Sequence, residues 1–191
     1  PITSTESLAS LNPEDILNTA FPNGVPQVWG IIGGPPCQDF TMSGNGLGFS
    51  GNRGKMTQIF FNRIRKMCPA FFVMENVVGL LMRKEAKNIL DNLLLKYICE
   101  DYYIDCATLN ALDYGVPQYR KRVFIVGLRK DLFPNIITTE PTLANVCSMN
   151  FNWPTPKYYK AYSLFSWPST NPFGATIEKP ADIPYDLCVQ K

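Results

Sequence analysis

VWGIIGGPPCQDF, residues 28–40, opens on an apolar run and halts on two glycines and two prolines. Val28–Ile32 reads as a short buried strand, and Gly33-Gly34-Pro35-Pro36 is strong strand-stopping punctuation. The residues just beyond decide the architecture. Gly46-Leu47-Gly48-Phe49-Ser50-Gly51 spells G-x-G-x-x-G, a pattern that binds dinucleotides when a strand directly precedes it and a helix directly succeeds it. Here the strand ends at Ile32 and helical spacing begins only after Gly54, so the glycines read as a mobile flap instead. Cys37 has the better context. It lies just past the carboxyl end of a parallel-type strand, where open α/β sheets place their ligands. Pro35-Pro36 stiffens its approach. The residues alone leave a reactive thiol and a structural cysteine both open.

Outward from this loop the pattern alternates. Lys55–Met67 carries apolar side chains at 56, 59, 60, 64 and 67, a helical spacing, with Pro69 beyond its end. Ala70–Met74 is a continuous apolar run, as expected of a strand covered on both faces. Lys84–Ile98 predicts an amphipathic helix with Ala86, Ile89, Leu90, Leu93, Leu94 and Tyr97 on one side. Tyr102–Leu109 and Arg122–Leu128 predict two more strands, joined too tightly for a helical crossover and hence antiparallel. Upstream, LNPEDIL suggests a helix start. The order strand, helix, strand, helix, strand, strand predicts an α/β sheet covered by helices. After about Asn135 the character changes: from Asn150 to Lys191 six prolines and nine aromatics show no regular period, so this part reads as an irregular extension.

Composition narrows the chemistry. At 191 residues with 46% hydrophobic residues, the chain has enough material for one domain with a core. No run approaches the ~18 apolar residues of a membrane span, and no signal-peptide pattern stands at the N-terminus, so the protein reads as cytoplasmic. The absence of histidine removes Ser-His and Cys-His pairs, zincin motifs and the H-x-E deaminase motif. The six cysteines form no C-x-x-C pair, so neither a zinc site nor any other metal site is expected. Net charge is only +2, yet Arg53, Lys55, Arg63, Arg65 and Lys66 form one basic run and Arg120, Lys121, Arg122, Arg129 and Lys130 another. These are either solvated element ends or two edges facing a polyanion.

Two further segments bear on Cys37. Glu75-Asn76-Val77 closes the second strand, and a glutamate beside so much apolar surface is costly unless paired or protonated. Gln118-Tyr119-Arg120-Lys121-Arg122 leads into the last strand. Extended, it puts Gln118, Arg120 and Arg122 on one face and Tyr119 and Lys121 on the other, so two guanidiniums on one face could bind an anion or brace a carboxylate and a carbonyl.

Taken together, GGPPCQDFT, ENVVGL and ALDYGVPQYRKRVFIVG resemble, in order and spacing, three motifs of the cytosine-5 DNA methyltransferases. The resemblance covers roughly residues 28–135. It implies a Rossmann-like methyltransferase α/β sheet, incomplete and carrying an antiparallel strand pair, as a catalytic core over residues 1–135. Residues 136–191 would then begin the target-recognition region. It implies catalytic roles for four residues. Cys37 would be the thiolate that adds to carbon 6 of cytosine, Glu75 the acid at ring nitrogen 3 if burial raises its pKa, Arg122 the ligand of the cytosine carbonyl, and Arg120 a brace for the carboxylate and loop. The methyl donor implied is S-adenosylmethionine, with Pro36 and Met56 as cofactor contacts. The partner implied is double-stranded DNA with the target base flipped out, contacted by Gln38, Thr41 and Arg53.

The family's cofactor-binding glycine loop is not visible upstream, and neither are its C-terminal motifs. The expectation is therefore the catalytic middle of a methyltransferase of restriction-modification type. It would be a piece of a longer protein or one half of a split enzyme, in which a second polypeptide supplies the missing cofactor-binding segment. Two other readings stay open: an inactive DNA-binding remnant, and a thiol-dependent enzyme acting on a pyrimidine nucleotide.

Overall fold

The computed structural model describes residues 9–36, 54–116, 118–136, 138–142 and 145–156. The chain divides into two compact units, one of residues 1–108 and 123–152, the other of residues 109–122 and 153–191. Among the described residues four strands form one sheet in the order β1-β2-β4-β3. These are β1 (Gly30–Gly33), β2 (Phe71–Val77), β3 (Tyr102–Asn110) and β4 (Lys121–Arg129). The helices are α1 (Pro13–Ala20), α2 (Gly54–Met67), α3 (Gly79–Met82) and α4 (Lys84–Tyr97).

Local chemistry accounts for the helix ends. Asn12 caps α1 by accepting a hydrogen bond from the Glu14 amide at 3.1 Å, and Pro13 stands where a missing N–H costs nothing. Arg65 and Lys66 lie in the last turn of α2, complementing its negative carboxyl end. In α4 the stripe Ala86, Leu90, Leu94 is buried, while Ile89 at its margin is 38% exposed. The helix α3 is too short to carry a period, so no pattern announces it; its Leu80 is fully buried.

β1 and β2 run parallel with Gly30 opposite Phe71 and Gly33 opposite Met74. The later strands are antiparallel. The Lys130 amide donates to Asp101 O at 2.9 Å, so β4 ends where β3 begins; the Arg129 amide donates to Ala70 O at 2.9 Å, so β4 also ends where β2 begins. The mixed sheet thus has the expected connections.

Two burial expectations are corrected. β2 alternates, with Phe72, Met74 and Asn76 buried and the intervening residues only half-buried, rather than being closed on both faces. The cause is that α2 and α4 pack against one another and share one core with the Phe72–Met74 face, where the Phe61 and Phe72 rings meet edge to face at 6.3 Å. β1 starts at Gly30 rather than Val28, and it is no buried strand: Val28 is 64% and Ile32 76% exposed. It stands at the edge of the described sheet, so Ile32 has strand cover on one side only. No described helix is long and apolar enough to cross a membrane.

Candidate active site

The parallel register brings two loop ends to one level. Gly33 pairs with Met74, so Gly34 comes abreast of Glu75 at the carboxyl ends of both strands. A Cβ on Gly34 would stand 3.1 Å from Glu75 Oε2, a tight approach at which the carboxylate would have to give by a few tenths of an ångström. The next residue, Asn76, is buried and donates from Nδ2 to Pro35 O at 3.2 Å, while its Oδ1 accepts from the Val77 amide at 2.8 Å. One buried amide therefore ties the Pro35-Pro36 turn to the end of β2. Sequence reasoning singled out Glu75 and passed over Asn76. No local pattern signals it: its role comes from its burial at the end of β2, beside a carbonyl that needs a partner.

On the α2 side of this turn lies a cavity of about 360 Å³, within the range of small-molecule sites. Pro36 and Met56, the two expected cofactor contacts, both line it, with Ile31, Ile32, Phe60 and Arg63. Met56, Phe60, Arg63 and Met67 recur at helical spacing, so α2 contributes one continuous face. Arg63 is the cation of this wall, and its Nη2 donates to Ala9 O at 3.1 Å. The wall suits the flat, apolar part of a nucleoside. Among the described residues it carries no carboxylate for ribose hydroxyls or an ammonium group, so these residues fit part of the expected cofactor.

Arg120 and Arg122 form part of the second unit. There Asn110 is buried and its Oδ1 accepts from the Arg120 amide at 3.0 Å and the Leu112 amide at 3.4 Å. The Ala111 amide donates to Arg120 O at 3.0 Å, closing the loop through the 3₁₀ turn Ala111–Tyr114. Arg120 is exposed, and Arg122 is half-buried with Nη1 donating to Lys121 O at 2.8 Å. Lys121 Nζ lies 5.3 Å from the Tyr119 ring centroid, as expected for residues sharing the face opposite the arginines. Cys37, Gln38, Thr41, Arg53 and the 38–54 flap with its glycines (up to Arg53) lie outside the described residues, as does the extension from residue 157. β1 ends at Gly33 and α2 starts at Gly54, and the G-x-G-x-x-G of residues 46–51 lies outside the described residues.

Comparison with known proteins agrees with this geometry. The family model for C-5 cytosine-specific DNA methylase matches residues 10–179. The chain is 38% identical over 141 residues to the type II methyltransferase M.MthTI of Methanothermobacter thermautotrophicus, covering 71% of this chain and 42% of that protein. It is 32% identical over 170 residues to the type II methyltransferase M.NmeDI of Neisseria meningitidis serogroup C, covering 88% and 37%. Among solved structures it resembles a prophage-encoded E. coli protein assigned as a DNA modification methyltransferase, with 30% identity, a TM-score of 0.57 and coverage of 85% and 41%. The chain thus spans about two fifths of the length of these relatives. With three motifs in register, a mixed sheet that sets two of them side by side, and a match over most of its length, the chain belongs to the C-5 cytosine-specific DNA methylase family.

Proposed function

We propose that this chain is the catalytic part of a DNA (cytosine-5-)-methyltransferase of restriction-modification type, transferring a methyl group from S-adenosylmethionine to carbon 5 of a flipped cytosine. The observation that carries this reading is the pairing of Gly33 with Met74, which sets Glu75 beside Gly34, three residues ahead of Cys37. The acid on the second loop thus stands level with the start of the first loop, whose sequence runs on to the proposed nucleophile.

The residue roles come from the chemistry. Carbon 5 of cytosine is a poor nucleophile, and a thiolate bond from Cys37 to carbon 6 turns the ring into an enamine. Charge moved into the ring is stabilised by a proton from Glu75 at nitrogen 3, and Arg122 holds the carbonyl oxygen. Arg120 orders the carboxylate and loop. Pro36 and Met56, with Phe60 beside them, would hold the nucleoside end of the cofactor, which supplies an electrophilic methyl group on a sulfonium. Once carbon 5 is methylated, its proton passes to water and the Cys37–carbon 6 bond breaks, freeing the thiolate. Gln38, Thr41 and Arg53 contact the DNA backbone or the space the base has left. Residues 1–135 form the catalytic core and residues 136–191 open the target-recognition region. The work is done in the cytoplasm on double-stranded DNA.

The apolar cavity wall favours one addition. Groups that bind the ribose and ammonium ends of the cofactor come from sequence outside this chain's described wall, either in the same protein or in a second polypeptide. The test is transfer of labelled methyl from S-adenosylmethionine to duplex DNA, with the chain alone and with a supplied segment carrying the cofactor glycines. Methylation of DNA in either form supports the reading. DNA binding without transfer in both forms would favour a binding module. Turnover of free pyrimidine nucleotide without DNA would favour a small-molecule enzyme.

A further inference from the structure

The backbone that carries Arg120 is gripped on both sides by the two residues at the far end of its loop. The Arg120 amide donates to Asn110 Oδ1 at 3.0 Å, and the Arg120 carbonyl accepts from the Ala111 amide at 3.0 Å. Between them the chain folds back on itself. The Val116 amide donates to Ala111 O at 3.2 Å and the Gly115 amide to Leu112 O at 3.3 Å, with Gly115 in the left-handed region at φ 89°. Asn110 is 8% exposed, so its amide is withdrawn from water, and the same oxygen accepts from the Leu112 amide at 3.4 Å. That second bond caps the 3₁₀ turn Ala111–Tyr114, a local role that asparagine often fills. The bond to residue 120 reaches ten positions along the chain, and capping does not require it.

We propose that Asn110 is a positioning residue for methyl transfer, a register lock that fixes which face Arg120 and Arg122 present. The role rests on the parts proposed above for those two arginines. Side chains of an extended segment alternate between faces, so a slip of one residue would replace Arg120 and Arg122 by Tyr119 and Lys121. The replacement would not serve. Lys121 Nζ lies over the Tyr119 ring, 5.3 Å from its centroid, and an ammonium lacks the planar fork with which a guanidinium holds a carbonyl or a carboxylate. Arg120 is exposed, so burial of its side chain does not set the register; the two bonds to its peptide groups do. Of these, the Asn110 bond is the one a side chain supplies. A guanidinium on a fixed peptide is already oriented when the base arrives, and a misplacement of about 1 Å can cost about 10²-fold in rate. The loss falls on the chemical step, because Asn110 itself touches neither the base nor the methyl donor.

The experiment compares Asn110→Ser and Asn110→Asp with the wild type, in the chain completed with a cofactor-glycine segment. Serine and aspartate both cap helical turns well, so the local role survives in each. The serine hydroxyl is one bond shorter and loses residue 120, whereas an aspartate oxygen keeps it. In single-turnover methylation of duplex DNA, Asn110→Ser should be slower by about 10- to 10²-fold, with affinity for DNA and S-adenosylmethionine changed less than about 3-fold. Asn110→Asp should restore the rate to within about 3-fold of the wild type. Amide hydrogen exchange reads the lock without any activity: the Arg120 amide should be protected in the wild type and Asn110→Asp, and exchange at least about 10-fold faster in Asn110→Ser. A wild-type rate in Asn110→Ser would overturn the proposal, as would equal losses in both variants or a loss of affinity at an unchanged rate. Fast exchange of the Arg120 amide in the wild type would overturn it even if neither variant folds. A wild-type protein that protects this amide but transfers no methyl group would instead sink the proposed function on which the role rests.

Discussion

The room for the Glu75 carboxylate is set by its neighbours rather than by its own sequence context. Gly34 leaves room for it, and Asn76 anchors the turn opposite. Glu75→Gln keeps the shape and removes the proton, so kcat for methyl transfer should fall about 10²- to 10⁴-fold with DNA affinity little changed, measured by single-turnover methylation. Asn76→Ala leaves Pro35 O without its partner and should cost about 1–3 kcal/mol of stability, read from urea denaturation. The glutamate was legible because a carboxylate closing an apolar run is expensive. The asparagine was not, because its value depends on a carbonyl 41 residues away, a pairing no local pattern encodes.

At the scale of elements, periodicity located α2, α4 and all four strands to within a few residues. It misjudged cover. An apolar run such as Ala70–Met74 cannot say whether one face or both will meet a helix, and here α2 and α4 lie against one another on the same core. That choice makes close approach at the sheet critical. Gly127 in β4 lies under the Phe72 ring, where a Cβ would overlap the ring carbons, and Phe72 is locked between Phe61 and Tyr102. Gly127→Ala should therefore destabilise by about 1–3 kcal/mol in chemical denaturation despite the better strand propensity of alanine. The turn after α4 adds a pH dependence. Burial pushes the Cys99 thiol up to about 11 from an ordinary value near 9. Burial also raises the Tyr102 hydroxyl, which donates to Pro69 O at 2.8 Å. Both groups prefer their neutral form when folded, so the unfolded chain releases protons first as pH rises. The Cys99 contribution is intact below about pH 9 and is lost as pH climbs toward 11, while that of Tyr102 begins to go only above its ordinary value of 10. The urea midpoint should fall across that window, and Cys99→Ala should flatten part of the fall.

For the whole molecule, three short motifs carried more than the composition did. The absence of histidine excluded much, and a net charge of +2 excluded little. The fold was readable because its strands and helices alternate. The cavity beside the Pro35-Pro36 turn was half readable: Pro36 and Met56, the proposed cofactor contacts, both line it, whereas Phe60 and Arg63 are placed there by the helical turn of α2 and not by any motif. The central claim is carbon 5 chemistry through Cys37. The most direct measurement is digestion of duplex DNA, after incubation with S-adenosylmethionine and the chain completed with a cofactor-glycine segment, and then mass spectrometry of the nucleosides. The account predicts 5-methylcytosine, reduced at least about 10³-fold in Cys37→Ala. Undiminished methylation in Cys37→Ala, or a methyl group on the exocyclic nitrogen instead of carbon 5, would contradict it.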